Sequence, residues 1–328
     1  MYIVTGGAGF IGSNIVAGLE QAGMGPIVVC DWLGTEMKWR NISKRKLFDV
    51  IAPEQLADFL NSHAGEISGV IHMGAISSTT HRDADEIVSN NIRLSLDLWT
   101  WCTRARVPFI YASSAATYGD GNESFDDRRN ADGLSSLNPL NAYGWSKHMV
   151  DRRIQDDLDA GRPHPPQWVG LKFFNVYGPN EFHKGDMMSV PCKRYPELKS
   201  GEPFRLFASD RPEYEDGGQR RDFVYVKDCV EVILWALKNP SVSGLFNCGT
   251  GRATSFRELA EATYSAMGLP SNIEYIPMPE QLKGKYQYFT QAEMGKLRDA
   301  GYNGQFRTVE QGMQDYVANH LSKEDPFL

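Results

Sequence analysis

Residues Tyr2 to Gly12 read YIVTGGAGFIG, an apolar run that breaks at Thr5 into a turn with Gly6, Gly9 and Gly12 spaced three apart. A helical pattern, Ser13-Asn-Ile-Val-Ala-Gly-Leu19, follows at once. In such a strand–turn–helix the glycines permit a tight turn and let the backbone approach a pyrophosphate. The helix N-terminus then presents unpaired N–H groups and a positive dipole end to the anion. Asp31 closes the next apolar run, Ile27-Val-Val-Cys-Asp31, 19 residues past Gly12. A carboxylate there is placed to accept from an adenosine ribose hydroxyl. The stretch predicts a bound dinucleotide.

Outward from this turn, strand and helix signals alternate. Strands are expected at 2–5, 26–30, 69–72, 107–112 and 168–173, and helices at 12–22, 53–62, 83–104 and 142–158. That rhythm implies an α/β fold with a doubly wound parallel sheet of the Rossmann kind. Short all-apolar strands such as Val107-Pro-Phe-Ile-Tyr111 fit a sheet covered on both faces. After Asn175 the rhythm changes to longer loops, and a smaller C-terminal α/β substrate domain is expected over 176–328. The dinucleotide-binding domain is then 1–175, with 222–250 returning to it through a strand at 222–226 and a helix at 227–238. Ser255–Glu258 and Thr290–Glu293 each read as capping boxes, opening helices over 255–267 and 291–300. A last amphipathic segment runs from Val309 to Leu321, and the polar stretch Asp120–Leu137 reads as an exposed loop.

Bulk properties narrow the partners. The chain has 328 residues, enough for a substantial core, and a net charge of −7. An acidic balance argues against a nucleic acid or an anionic membrane surface. No apolar run approaches the roughly 18 residues of a membrane span. A strand beginning at Tyr2 leaves no room for a cleaved leader, and five scattered cysteines form no CxxC pair. Reduced thiols in a cytoplasmic protein are expected. His72 and His81 lack companions at ligand spacing, so no metal site is expected. Lys44-Arg-Lys46 reads as a solvated turn, and Trp99 and Trp101 share one long helix that faces either the core or a second subunit.

A second chemical signal lies in Tyr143-Gly-Trp-Ser-Lys147. Tyrosine and lysine at i and i+4 share a helix face. An ammonium beside a phenol favours the phenolate, bringing a group of ordinary pKa about 10 toward neutrality as general base or acid. Ala112-Ser-Ser-Ala-Ala-Thr-Tyr-Gly119 follows a strand, so its hydroxyls fall at the sheet edge where doubly wound folds bind ligands.

Together the glycine turn, the SSAATYG segment, YxxxK, Phe174-Asn-Val-Tyr-Gly-Pro179 and Arg221-Asp-Phe-Val-Tyr-Val226 resemble the extended short-chain dehydrogenase/reductase family of nucleotide-sugar enzymes. The finer segments Ser77–Thr80, Phe182-His-Lys-Gly185, Phe246–Arg252 and Leu282–Gln287 are most similar to its branch of isomerases that epimerise an ADP-bound heptose. The resemblance implies an ADP-sugar substrate, a homo-oligomer (a pentamer in that branch) and catalysis by Ser114, Tyr143 and Lys147. Tyr118-Gly119 aligns position 114 with the family's serine. It also implies that Lys184 is a second acid/base across the sugar from Tyr143. Asn175 and His183 would bind substrate, and Arg221 would clamp the diphosphate. Phe207, Ala208, Ser209 and Asp210 would line the nucleotide site, and Tyr286 would touch the sugar or its diphosphate.

On the cofactor side the resemblance implies contacts from Gly6, Gly9, Phe10, Ile11 and Gly12, from Asp31, Trp32 and Lys38, and from Met73, Gly74, Ala75, Ile76 and Ser77. Asn90, Val176, Tyr143 and Lys147 complete the set. Asp31 alone favours NAD, because a carboxylate repels a 2′-phosphate. Lys38 matches a position that neutralises this phosphate in the resembled enzymes, and Arg40 stands close enough in sequence to help. NADP is therefore expected, with NAD as the alternative. The family's 4,6-dehydratases place Asp-Glu after the catalytic Ser/Thr; here those positions are Ala115-Ala116, which favours epimerisation over elimination. Rival readings are another nucleotide-sugar epimerase or reductase, such as a UDP-hexose 4-epimerase, and an inactive cofactor-binding relative.

Overall fold

The computed structural model describes residues 1–280 and 287–328. Seven parallel strands form its central sheet. Six are β1 (Tyr2–Thr5), β2 (Ile27–Cys30), β3 (Asp49–Ile51), β4 (Gly69–His72), β5 (Phe109–Ser114) and β6 (Trp168–Phe173). The spatial order is β3-β2-β1-β4-β5-β6, and Gly244–Cys248 pairs outside β6. The reversal at β1 opens a crevice over the carboxyl ends of β1 and β4.

Strand residues alternate between two buried layers, because successive side chains point to opposite faces. Ile3, Val28, Val70 and Phe109 pack on one side, and Val4, Val29, Ile71 and Ile110 on the other. Both sides are covered, so the strands read as continuous apolar runs. Gly244–Cys248 is one strand of this sheet that the sequence does not announce, and β3 is the other. It is three residues long at the sheet edge, with Asp49 and Val50 exposed, and lacks an apolar signature.

Helix α1 (Phe10–Gln21) packs against the helix Val226–Lys238 so closely that a Cβ at Gly18 would strike Val230. The expected strand at 222–226 is Phe223–Tyr225, which pairs with Asn175–Tyr177 in a two-stranded ribbon, while Gly244–Cys248 joins the main sheet. The expected helix at 83–104 is capped by Asp83 and contains a wider π turn at Val88–Arg93 before Leu94–Ala105. Trp99 belongs to the core, edge-on to Phe109 and Trp168, whereas Trp101 donates to Asn61. Helices Val190–Lys199, Phe256–Met267 and Val309–Tyr316 gather around Tyr177, Tyr225 and Tyr316. Among the described residues, no helix is long and apolar enough to cross a membrane.

Two local expectations are corrected. Ser255 and Glu258 form the expected capping box, but Thr290 opens no helix. Its hydroxyl accepts from the Asp222 amide, and only Gly295–Asp299 is helical nearby. Tertiary hydrogen bonding outcompetes the local cap there. Nor is Asp120–Leu137 a solvated loop throughout. Phe125, Asp127, Leu134 and Leu137 are buried, and Asn247 donates to both Asp127 and the Phe125 carbonyl.

Candidate active site

A cavity of about 850 Å³ opens over the crevice. Its floor is the glycine turn. Gly6 has φ 64°, a conformation that favours glycine, and a Cβ there would lie 2.6 Å from the Gly74 nitrogen. A Cβ on Gly12 would collide with the Gly6 carbonyl. Helix α1 begins without a side-chain cap and with no acidic residue in its first turn, while Gly9, Phe10, Ile11 and Gly12 line the cavity. Uncapped amides at a positive helix end suit a diphosphate. Asp31, at the end of β2, accepts from the Ala8 amide at 2.9 Å and pairs with Lys38 at 2.6 Å. Lys38 also donates to the Trp32 carbonyl. Arg40 does not join them; its guanidinium lies 4.5 Å from the Phe327 ring centre and pairs with Asp325. The opposite wall carries Met73, Gly74, Ala75, Ile76 and Ser77 after β4, with Asn90 and Val176.

The helix Ala142–Asp159 brings the tyrosine in. Asn141 caps it by accepting from the Gly144 amide at 2.8 Å. Gly144 permits a close approach, since a Cβ there would lie 2.7 Å from the Ala116 carbonyl. That contact sets Tyr143 beside Ser114, the last residue of β5, whose hydroxyl acts to lower the phenol pKa. Lys147, one turn on, is 2% exposed, and burial lowers its amine to about 8 against an opposing pull from Asp151. Asp151 anchors the helix from beneath. It accepts from Lys172 at 2.7 Å, Ser113 at 2.7 Å and Tyr111 at 3.0 Å. The expected drop in the phenol pKa is not what this arrangement gives. Burial pushes Tyr143 up, Ser114 pulls it down and Asp151 raises it further. The cost of a buried phenolate outweighs the neighbouring lysine, whose own charge is disfavoured by the same burial.

The same cavity is lined by the turn Phe182–Met187 through His183 and Lys184. The Lys184 amine lies 4.8 Å from the Phe10 ring centre, and its pKa is lowered by burial while Glu181 acts in the opposite sense. His183 accepts through Nδ1 from Asn41, which also donates to the Ala8 carbonyl. Burial, then Lys38 and Lys184, lower its imidazole to about 4, so it is neutral at pH 7. The whole turn is tied to α1. Asn180 donates to Ser13, and Asn14 donates to the Pro179 carbonyl.

Ser114, Tyr143, Lys147, Asn175, His183 and Lys184 thus line one cavity. Phe207, Ala208, Ser209, Asp210 and Arg221 are not among its lining residues. Asp210 hydrogen-bonds Tyr288, and Arg221 sits with its guanidinium 5.8 Å from the ring centre of Phe256, which does line the cavity. Tyr286 falls outside the described residues. The structure adds Gln287 and Thr290 to the lining, and buries Glu181 three residues before Lys184. Gln287 ends the Leu282–Gln287 segment that the sequence singled out; Thr290 and Glu181 carry no motif of their own. His72 is structural, held between Thr5 and Ser95 and lowered by burial to about 3. His81 pairs with Glu86, and among the described residues no His/Cys/Asp/Glu group could hold a metal ion.

The model of the NAD dependent epimerase/dehydratase family matches residues 2–249. The ADP-L-glycero-D-manno-heptose-6-epimerase of Nitratidesulfovibrio vulgaris is 49% identical over 331 residues, covering 100% of both chains. The crystal structure of the Helicobacter pylori ADP-L-glycero-D-manno-heptose-6-epimerase aligns with a TM-score of 0.77 at 27% identity, over 97% of this chain and 95% of that one. The Thermus thermophilus UDP-glucose 4-epimerase, solved as a complex with NAD, aligns with a TM-score of 0.72 at 25% identity, over 97% of each. The chain belongs to the NAD dependent epimerase/dehydratase family.

Proposed function

We propose that the chain is an isomerase converting ADP-D-glycero-D-manno-heptose to its L-glycero epimer at C6. One observation carries this most: full-length identity of 49% to an enzyme of that activity, in a chain whose Ser114, Tyr143, Lys147 and Lys184 line a single cavity. The glycine turn, the uncapped α1 terminus and Asp31 would hold a nicotinamide dinucleotide. When bound, it supplies a hydride acceptor at the sugar carbon that is restored within each turnover.

The remaining chemistry belongs to the protein. Tyr143, beside Ser114, exchanges the proton of the C6 hydroxyl on one face of the sugar. Lys184 does so on the other face once the transient ketone has turned over. Lys147 binds the nicotinamide ribose and, when charged, favours the Tyr143 phenolate. Asn175 and His183 orient the sugar, while Arg221, Phe207 to Asp210 and Tyr286 hold its ADP. We take NADP as the preferred form, because Lys38 pairs with Asp31 and matches a position that neutralises the 2′-phosphate in the resembled enzymes. We take 1–175 with 222–250 as the cofactor unit and 176–328 as the substrate unit of a homo-oligomer, pentameric by resemblance. A cytoplasmic location fits the five buried free cysteines.

Incubation with ADP-D-glycero-D-manno-heptose, followed by proton NMR at C6, tests the reading. Inversion is expected without net cofactor consumption. Turnover of UDP-galactose alone would overturn it in favour of a hexose 4-epimerase.

A further inference from the structure

Glu181 is a fully buried carboxylate, 0% exposed, three residues before Lys184. Its donors come from three separate parts of the chain. Oε1 accepts from the Ser189 hydroxyl at 2.6 Å, the Tyr316 hydroxyl at 3.1 Å and the Gly178 amide at 3.4 Å. Oε2 accepts from the Ser189 amide at 2.5 Å. Ser189 is the cap of the helix Val190–Lys199, and Tyr316 ends the helix Val309–Tyr316. Burial raises the carboxyl's pKa, against the pull of Lys184, Ser189 and Gly178, while the two backbone amides can only donate to it and so favour the ionised form. An apolar residue would serve a merely packed position better, because burying a charge is costly unless it is hydrogen-bonded.

We propose that Glu181 is the positioning residue for Lys184: it pins both ends of the Gly178–Ser189 turn and holds a negative charge on the same turn as the amine, three residues before it. The proposal rests on the reading of Lys184 as the second acid/base. The groups facing that amine are few. Glu181 and neutral His183 share its turn, Cys192 and Lys193 face it from the following helix, and α1 contributes the uncharged Phe10 ring. Burial disfavours the ammonium, and the Glu181 charge acts to restore it. Loss of the carboxylate charge therefore lets Lys184 release its proton at lower pH. Whichever half-reaction needs the ammonium would then fail earlier as pH rises.

The test is an NMR titration of ε-13C-lysine-labelled protein, with the Lys184 resonance assigned from Lys184→Met. In Glu181→Gln the Lys184 midpoint is expected to fall by about one pH unit. In Glu181→Asp, which keeps the charge while breaking the hydrogen-bond geometry, it is expected to stay within about 0.3 unit. Tyr316→Phe, which removes one donor and leaves the carboxylate, is likewise expected to hold it. An unchanged midpoint in Glu181→Gln, or an equal fall in Glu181→Asp or Tyr316→Phe, overturns the proposal. If Glu181→Gln does not fold, the other two variants still decide, since a full-unit fall in either contradicts a role for the charge. In turnover, Glu181→Gln is expected to lower kcat on its alkaline limb with KM for the sugar little changed. Absence of epimerase activity in the unaltered enzyme would defeat the functional reading alone, because the titration needs no substrate.

Discussion

The two walls of the cavity are built differently. Tyr143 and Lys147 ride on an eighteen-residue helix that is locked to the sheet through Asp151, Lys172, Ser113 and Tyr111. Lys184 rides on a short irregular turn containing Gly185 at φ 52°, held by side chains from α1, from the next helix and from Tyr316. One wall rides on a long helix, itself held by buried polar side chains, and the other on a short turn. Local spacing announces the first and the Phe182–Gly185 segment marks the second, but what holds the second in place shows only when distant residues meet.

The sharpest way to break the comparison is to remove a proton-transfer group from each wall. Tyr143→Phe and Lys184→Ala are each expected to lower kcat by about a thousandfold, the scale of positioned acid–base catalysis, while retaining the cofactor. Steady-state rates and bound-nucleotide absorbance check this; normal turnover in either variant refutes the two-sided chemistry. Next comes the buried pair beneath the first wall, whose side chains are 1% and 0% exposed. Lys172→Met strands Asp151 and is expected to cost about 3–5 kcal/mol, measured by denaturant unfolding. Lys172→Met with Asp151→Asn is expected to recover part of that loss.

A smaller effect separates the walls by pH. Lys147 is lowered to about 8 in the folded protein from an ordinary 10.5. Its ammonium is present below about 8 and fades above it, so cofactor affinity is expected to weaken across pH 8 to 9. The same shift makes the folded state release its proton before the unfolded state does. This group's contribution to stability therefore improves as pH rises from about 8 to 10.5. Titration of nucleotide binding against pH checks the first expectation, and flat affinity across that window contradicts it. The smallest expected change is Lys38→Ala, which should shift NADP affinity relative to NAD by about tenfold, the loss of one charge-assisted contact. Competition dialysis with both nucleotides measures it.

Much of the site was legible before the fold. The glycine turn, Asp31, Ser114 and YxxxK sit at spacings that local geometry dictates, and the residues they mark do converge on one cavity. The strand β3 was not legible, because three residues at an exposed edge carry no periodicity. Thr290 was misread because a capping-box pattern also suits a threonine bound to a distant amide. Arg40 was misplaced because nearness in sequence to Lys38 says nothing of the Phe327 and Asp325 side chains that hold it.

The sequence by itself determined the doubly wound sheet, the dinucleotide turn and the tyrosine–lysine face, since each follows from periodicities of two or 3.6 residues and from glycine's conformational freedom. The packed fold set the protonation tendencies and what holds the second wall in place. A pKa depends on how much water and charge surround a group, and Asn41, Ser13, Asn14 and Tyr316 reach the Lys184 turn from positions far apart in the chain. No local pattern records such meetings, because burial and through-space charge are properties of the packed whole.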